Sequence, residues 1–323
     1  DNPGLFFNTV LYTGDGNAGR TVTGVGFQPQ WLWIKERSST STHSLTDIIR
    51  GANERLQSTA TDAEFDTGTD NVRSFDSDGF TLGTGGQVNE NTQTYVSWNW
   101  LAGGSASSNG DGSITSSVSA NTTAGFSIVS YSGASSGGTI GHGLGVKPDI
   151  VLIKCRSASA NWLFTTDIID GSKDYLFLNK TNVKNNLTTA LPTSSVFTVS
   201  GDDDQGENGK TYIAYCFNSV KGYSKFGTYT GNGNSDGAFV YTGFKPAWVI
   251  IKETTETRDW YMFDNKRSTF NVVNKNLDAN TSDAENTFTF LDITSNGFKL
   301  RTTDASVNSS GETYIYMAFA EAP

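Results

Sequence analysis

Gly26-Phe27-Gln28-Pro29-Gln30-Trp31-Leu32-Trp33-Ile34-Lys35 decides the fold, because the same phrase occurs three times. It returns as Gly145-Val146-Lys147-Pro148-Asp149-Ile150-Val151-Leu152-Ile153-Lys154 and as Gly243-Phe244-Lys245-Pro246-Ala247-Trp248-Val249-Ile250-Ile251-Lys252. Four consecutive apolar residues precede each Lys, so both faces of this strand must be covered. One face calls for a sandwich core. The other calls for a neighbouring module or subunit. The Pro stands before the strand, where its missing N–H costs no ladder hydrogen bond.

Further landmarks keep step with this phrase, as expected of a repeated structural unit. Seventeen residues before each Pro comes Tyr12-Thr13-Gly14, Tyr131-Ser132-Gly133 or Tyr229-Thr230-Gly231. After each Pro, at 66, 64 and 68 residues, comes the Tyr of a closing strand, at Tyr95, Tyr212 and Tyr314. In that strand Val96, Trp98 and Trp100 match Ile213, Tyr215 and Phe217, and Ile315, Met317 and Phe319. Small or polar residues such as Ser97, Asn99, Ala214 and Cys216 alternate with them, the period of a strand with its bulky face in a core. Weaker matches are Asp47, Asp167 and Asp264, and Phe80, Phe197 and Phe298. Thr61-Asp62-Ala63-Glu64 returns as Ser282-Asp283-Ala284-Glu285, with no visible counterpart in the second copy.

The 323 residues are thus read as three all-β, jelly-roll-like sandwich modules of about a hundred residues each. Module one covers residues 1–103, module two 125–222 and module three 223–323; the Gly/Ser-rich stretch 104–124 has the composition of a linker with hinge freedom. Thirty-five Gly against six Pro fit many tight turns, of which Asp15-Gly16, Asp78-Gly79 and Asn296-Gly297 are examples. The net charge of −10 repels phosphate and anionic headgroups, which disfavours nucleic acid and membrane surfaces as partners. No apolar run is long enough to cross a bilayer as a helix. The chain starts at Asp1 rather than Met, as expected of a processed protein or of a piece of a longer one. Cys155 and Cys216 are too sparse for a secreted disulfide scaffold and are expected as free thiols.

Catalytic chemistry finds little purchase. His43 and His142 have no counterparts in the other modules and no flanking motif, so they read as structural, and no enzyme is expected. Asp62 with Glu64, and Asp283 with Glu285, are the acid pairs that a glycoside-cleaving enzyme would need, but they read better as exposed loop acids inherited by duplication. Asp76-Ser77-Asp78-Gly79 and Asp202-Asp203-Asp204 resemble fragments of calcium loops without the full ligand set, so no metal site is assigned, and no cofactor. Trp162, Trp260 and Tyr261 open an aromatic strand in modules two and three. They are the candidate ligand-binding residues, able to stack on sugar rings if exposed; the commoner fate of such residues is a core.

Gly24-Val25-Gly26-Phe27-Gln28-Pro29 leading to Trp33-Ile34-Lys35, Ser74-Phe75-Asp76-Ser77-Asp78-Gly79-Phe80-Thr81-Leu82, and Gly311-Glu312-Thr313-Tyr314 through Glu321 resemble a repeated module of structural proteins in marine and cyanobacterial tailed phages. The resemblance runs over nearly the whole chain, with module two the most divergent. It implies a place, the outer surface or tail of a virion, and a tail fibre, spike or capsid appendage serving assembly and host attachment. Expected partners are other virion proteins, further copies of the chain in a homo-oligomer such as a trimer, and host-surface glycan or protein. A polysaccharide-depolymerising tail enzyme and a bacterial surface adhesin are the alternatives.

Overall fold

The computed structural model describes residues 2–322. The chain is all-β, with helix confined to single turns such as Gly86–Asn89 and Ala305–Asn308. All three repeats share one strand order. In repeat one the main sheet runs Phe7–Thr13, Thr94–Trp100, Trp31–Glu36, Ser44–Asp47, Gly51–Leu56, Phe65–Asp66. Repeat two follows with Phe126–Ser132, Thr211–Phe217, Ile150–Cys155, Trp162–Thr166, Asp174–Phe177, Asn185–Asn186. Repeat three follows with Ser224–Thr230, Thr313–Ala320, Pro246–Glu253, Trp260–Asp264, Val273–Asp278. The closing strand therefore sits between the first strand and the all-apolar one. A smaller sheet, Arg20–Thr23, Gly79–Leu82 and Val72–Asp76, completes repeat one, whose nine strands divide six and three; in repeat two it is Gly138–Gly141 with Val196–Val199, and in repeat three Asn286–Thr294, Gly297–Leu300 and Phe239–Tyr241 continue from Val273–Asp278 in one eight-stranded sheet.

The landmarks of the sequence meet in space. Tyr12 pairs in register with Tyr95, Tyr131 with Tyr212 and Tyr229 with Tyr314, and the rings stack at 5.1, 5.3 and 4.9 Å. Phe80, Phe197 and Phe298 each stand edge-on to the first Tyr of the pair, at about 6 Å. The Gly two residues after that Tyr is required by close approach. A Cβ on Gly14, Gly133 or Gly231 would lie 2.1, 2.1 or 2.2 Å from the carbonyl oxygen of Glu90, Glu207 or Ser309.

The doubly apolar strand is covered as its sequence demands. Leu32 and Ile34 turn toward the small sheet and pack with Val22, Phe80, Leu82 and Tyr95. Val151 and Ile153 do the same in repeat two, and Val249 and Ile251 in repeat three. The opposite faces, Trp31 and Trp33, Ile150 and Leu152, Trp248 and Ile250, join the bulky faces of the three closing strands in one shared core. Trp31 stacks on Tyr215 at 4.5 Å, Trp100 meets Trp248 at 5.7 Å, and Phe217 meets Phe319 at 6.1 Å, linking repeats one to two, one to three and two to three. Each such ring, fully buried, contributes on the order of 2 kcal/mol of transfer free energy.

Main-chain hydrogen bonds close the three repeats into a ring. Repeat two bonds to repeat one through Ala160 N to Thr61 O and Glu64 N to Arg156 O (2.9 and 2.8 Å). Repeat three bonds to repeat two through Arg258 N to Thr181 O and Lys184 N to Thr254 O (3.0 and 2.8 Å). Repeat one bonds to repeat three through Ser41 N to Ser282 O and Glu285 N to Arg37 O (both 2.8 Å). The arrangement is a pseudo-threefold ring made from one chain.

The stretch 104–124, expected as a linker, carries strands. Ser116–Asn121 pairs along its length with Phe126–Ser132, and Ser107–Asn109 pairs with Ser116–Asn121, so both extend the sheet of repeat two. Ser119 Oγ accepts from Gly103 N (3.0 Å) and donates to Gly104 O (2.7 Å), while Gln30 Oε1 accepts from Gly104 N (2.9 Å). Hinge freedom is excluded by these ties and by the shared core. The composition misled because strand preference depends on what a residue packs against, and here Ser116, Val118 and Ser119 are buried beside an existing sheet edge.

Candidate functional site

Trp162 and Trp260 are fully buried and serve the seams between repeats rather than a ligand. Their indole N–H groups donate to Gln57 O (2.7 Å) and Phe177 O (3.0 Å) of the preceding repeat. This corrects their candidacy as sugar platforms: the strand that carries them has both faces covered. Tyr261 is half-buried against Phe290, with ring centroids 5.7 Å apart, and burial pushes its hydroxyl up to about 12.

His43 occupies the matching position in repeat one and does the same work. Its Nδ1 accepts from Trp33 Nε1 (2.7 Å), which leaves Nε2 to donate to Asp278 O of repeat three (3.2 Å). Burial holds this imidazole well below its ordinary pKa, hence neutral. His142 is also buried, accepting from Leu144 N at Nδ1 and facing Thr193 O with Nε2, both at 3.2 Å.

The acids of the two candidate pairs are split. Asp62 and Asp283 are exposed. Glu64 and Glu285 are ion-paired in the seams: Glu64 accepts from Arg50 (3.1 Å) and from Arg156 of repeat two (2.8 Å), and Glu285 accepts from Arg267 (3.4 Å) and from Arg37 of repeat one (2.8 Å). Behind each lies a fully buried pair. Asp47 accepts from Arg50 Nε (2.5 Å) and from the Tyr215 hydroxyl of repeat two (2.8 Å); Asp264 accepts from Arg267 Nε (2.5 Å) and from Trp98 Nε1 of repeat one (3.2 Å).

The third seam is built differently. Register puts Thr166, not Asp167, at the position of Asp47 and Asp264, because it faces Ile150 as they face Trp31 and Trp248, and Ile169 then stands where the other copies have Arg50 and Arg267. The backbone bond from Lys184 to Thr254 puts Lys184 in the place of Glu64 and Glu285, and it pairs with Asp170 (2.6 Å) and Asp174 (2.8 Å). Met317, at the position of Trp98 and Tyr215, has no hydrogen to donate, and Thr166 Oγ1 donates instead to Asp149 O (2.8 Å). Asp167, one residue further on, pairs with the exposed Lys147. Copy two thus carries a cation where the other copies have the Glu of the acid motif.

The invariant Lys of the opening phrase is buried in all three repeats. Lys154 Nζ donates to Thr61 O, Cys155 O and Ala160 O at 3.0 to 3.1 Å, and Lys252 to Thr181 O (3.3 Å) and Glu253 O (2.5 Å). Lys35 donates to Glu36 O (2.6 Å). Burial pushes each ammonium down to about 8. Asp76 and Asp78, read as a calcium-loop fragment, are likewise engaged locally. Asp76 accepts from Ser74 and Thr81, and Asp78 from the main-chain N–H groups of Gly24 and Gly26. Asp202 accepts from Ser200 and Gln205, and Asp204 from Asn161.

With the polar groups of the seams so occupied, the outer surface is where ligand chemistry remains open, and repeat three is distinctive there. From Asp264 to Leu277 its chain is four residues longer than the matching span Asp47 to Leu56 and three longer than Thr166 to Leu176. The added length carries Phe270, which is 84% exposed. Asn271 pins the loop by donating to Ile293 O (2.8 Å) and accepting from Ile293 N (2.9 Å). A furrow runs past the ring as three neighbouring hollows of about 400, 240 and 210 Å³ that share lining residues, from Thr289 through Asn265 and Glu321 to Asn8 of repeat one.

A family model for a domain of unknown function, DUF7483, matches residues 2–323. The chain belongs to the DUF7483 family. No curated protein and no solved structure matches it. The DUF7483 match spans all three repeats, so the family's unit has the extent of the whole ring rather than of a single repeat.

Proposed function

We propose that this DUF7483 chain is a structural protein of a bacteriophage virion, a tail fibre, spike or capsid appendage that acts in virion assembly and host-surface attachment. The observation that carries the reading is the closed ring: the apolar main-sheet faces of three repeats meet in one core, Arg and Glu side chains pair between repeats, and the buried Lys and His groups there bond to main-chain carbonyls. Such a body is a rigid mount whose loops face outward. The resemblance of its repeated phrases to modules of tailed-phage structural proteins supplies the location, the outer surface or tail. Its partners are other virion proteins and host glycan or protein. Self-association, if trimeric as in many fibres and spikes, uses the outer surface, because the inner faces are already taken by the other two repeats. A depolymerising enzyme would need two carboxylates flanking one bond, and in each candidate pair one acid is committed to a seam.

Cryo-electron microscopy of the intact particle tests the proposal. Three-lobed density at the tail or at a capsid vertex, with the repeat-three loops outward, supports it. Absence of the chain from every virion, or a free protein that shortens host polysaccharide, refutes it.

A further inference from the structure

Resting on the attachment role above, we infer that the furrow beside Phe270 binds an uncharged oligosaccharide. Phe270 stands on a loop with no equal in the other repeats, and its support is rigid. Asn271 engages both main-chain groups of Ile293, and Ser268 Oγ accepts from the main-chain N–H groups of Asn274 and Lys275 (3.3 and 3.2 Å). A ring held this way offers a flat apolar face at little ordering cost on binding.

The groups beside the ring are hydroxyls and amides. Asn274 and Thr289 line the larger hollow with Phe270. Lys245, Asn265 and Glu321 line the next one with it, and Ser268 and Thr269 line both. Asn265 Nδ2 donates to Glu321 Oε1 (2.8 Å), while its Oδ1 is buried without a hydrogen-bond partner, a cost that a ligand hydroxyl would remove. The charges beside the ring are paired: Lys245 with Glu321 (2.5 Å), and Arg267 with Asp264. The exposed Lys266 lines the far hollow and not the two that Phe270 lines, so no unpaired charge beside the ring selects an ionic ligand. One exposed aromatic face flanked by balanced donors and acceptors fits a sugar ring, which has an apolar C–H face and a rim of hydroxyls. The two hollows that Phe270 lines, about 400 and 240 Å³, give room for several residues of a chain rather than for one.

The test is native affinity electrophoresis of the full chain in gels cast with dextran, galactomannan or xyloglucan, with alginate as the anionic comparison. Retardation by at least one neutral polymer and not by alginate is expected. Phe270→Ala should weaken that retardation by about tenfold or more with an unchanged melting temperature, since the side chain is exposed. Phe288→Ala, at an exposed ring outside the furrow, should leave it intact. Failure of all three neutral polymers, equal retardation of Phe270→Ala, or preference for alginate overturns the site. The outcome is separable from that of the virion proposal: a chain located on particles that binds no neutral polymer loses only this site, and one that binds through Phe270 but is absent from particles loses only the virion role.

Discussion

Asp47 and Asp264 occupy one position in two repeats, and Asp167 stands one residue past it in the other, so the same substitution made at each should give costs set by their surroundings. In Asp47→Asn the Arg50 guanidinium, wholly buried beside its carboxylate, loses its nearest counter-charge and keeps only Glu64 at 3.1 Å. Breaking a buried pair in this way costs about 3–5 kcal/mol. Asp264→Asn strands Arg267 in the same manner, with Glu285 at 3.4 Å, and should cost as much. Asp167 pairs with Lys147, whose side chain is 42% exposed, so Asp167→Asn should cost under about 1 kcal/mol. Urea titration followed by tryptophan fluorescence reads all three. The double variant Asp47→Asn with Arg50→Met, which removes the stranded charge, should recover most of the loss. Equal costs at the three positions, or no recovery in the double variant, would refute the reasoning that burial and pairing across the seams set these energies.

Lys154→Met isolates one buried ammonium. Below about pH 8 Lys154 is protonated in both folded and unfolded chains; between 8 and its ordinary value of about 10.4 the folded protein releases the proton first and the unfolded state binds more. Wild-type stability should therefore rise relative to Lys154→Met across that window, by up to about 1.4 kcal/mol per pH unit; a constant or shrinking difference in urea titrations contradicts it. Cys155 and Cys216 are free and buried, and burial pushes the Cys216 thiol up to about 12. A thiol-reactive chromogen should label neither in the native protein and both in denaturant, and prompt native labelling would count against the core placement. Gly14→Ala drives a Cβ to 2.1 Å from Glu90 O and should cost about 1–3 kcal/mol or more, whereas Gly110→Ala, with open space around it, should stay within about 0.5 kcal/mol in the same titrations.

Much of the fold was legible in particular residues. Four apolar positions in a row before Lys35, Lys154 and Lys252 required two covered faces, and the structure covers them with a small sheet on one side and the other repeats on the other. What the pattern could not say was that the second face meets the same chain. Composition misplaced 104–124, because Ser and Thr on a sheet edge look like a linker until their hydrogen-bond partners are known. Trp162 and Trp260 carry the residue type of a sugar platform, and only the strand's position between two neighbours reveals their role. The match of Asp167 with Asp47 and Asp264 was one residue out of register, and Lys184, in the place of Glu64 and Glu285, was hidden by the absence of a recognisable motif. Phe270 left a readable signal in chain length: the span from Asp264 to Leu277 is 13 residues where the other copies have nine and ten.

The account's central claim is that three repeats form one cooperative body around one core, and scanning calorimetry of the whole chain tests it most directly. At about 0.7 kcal/mol per residue near 60 °C, the 323 residues should absorb on the order of 230 kcal/mol. A single transition whose van't Hoff enthalpy equals that calorimetric value is the predicted result. Separate transitions, or a van't Hoff enthalpy near a third of the total, about 75 kcal/mol, would mean that the repeats unfold independently and that the shared core does not bind them into one unit.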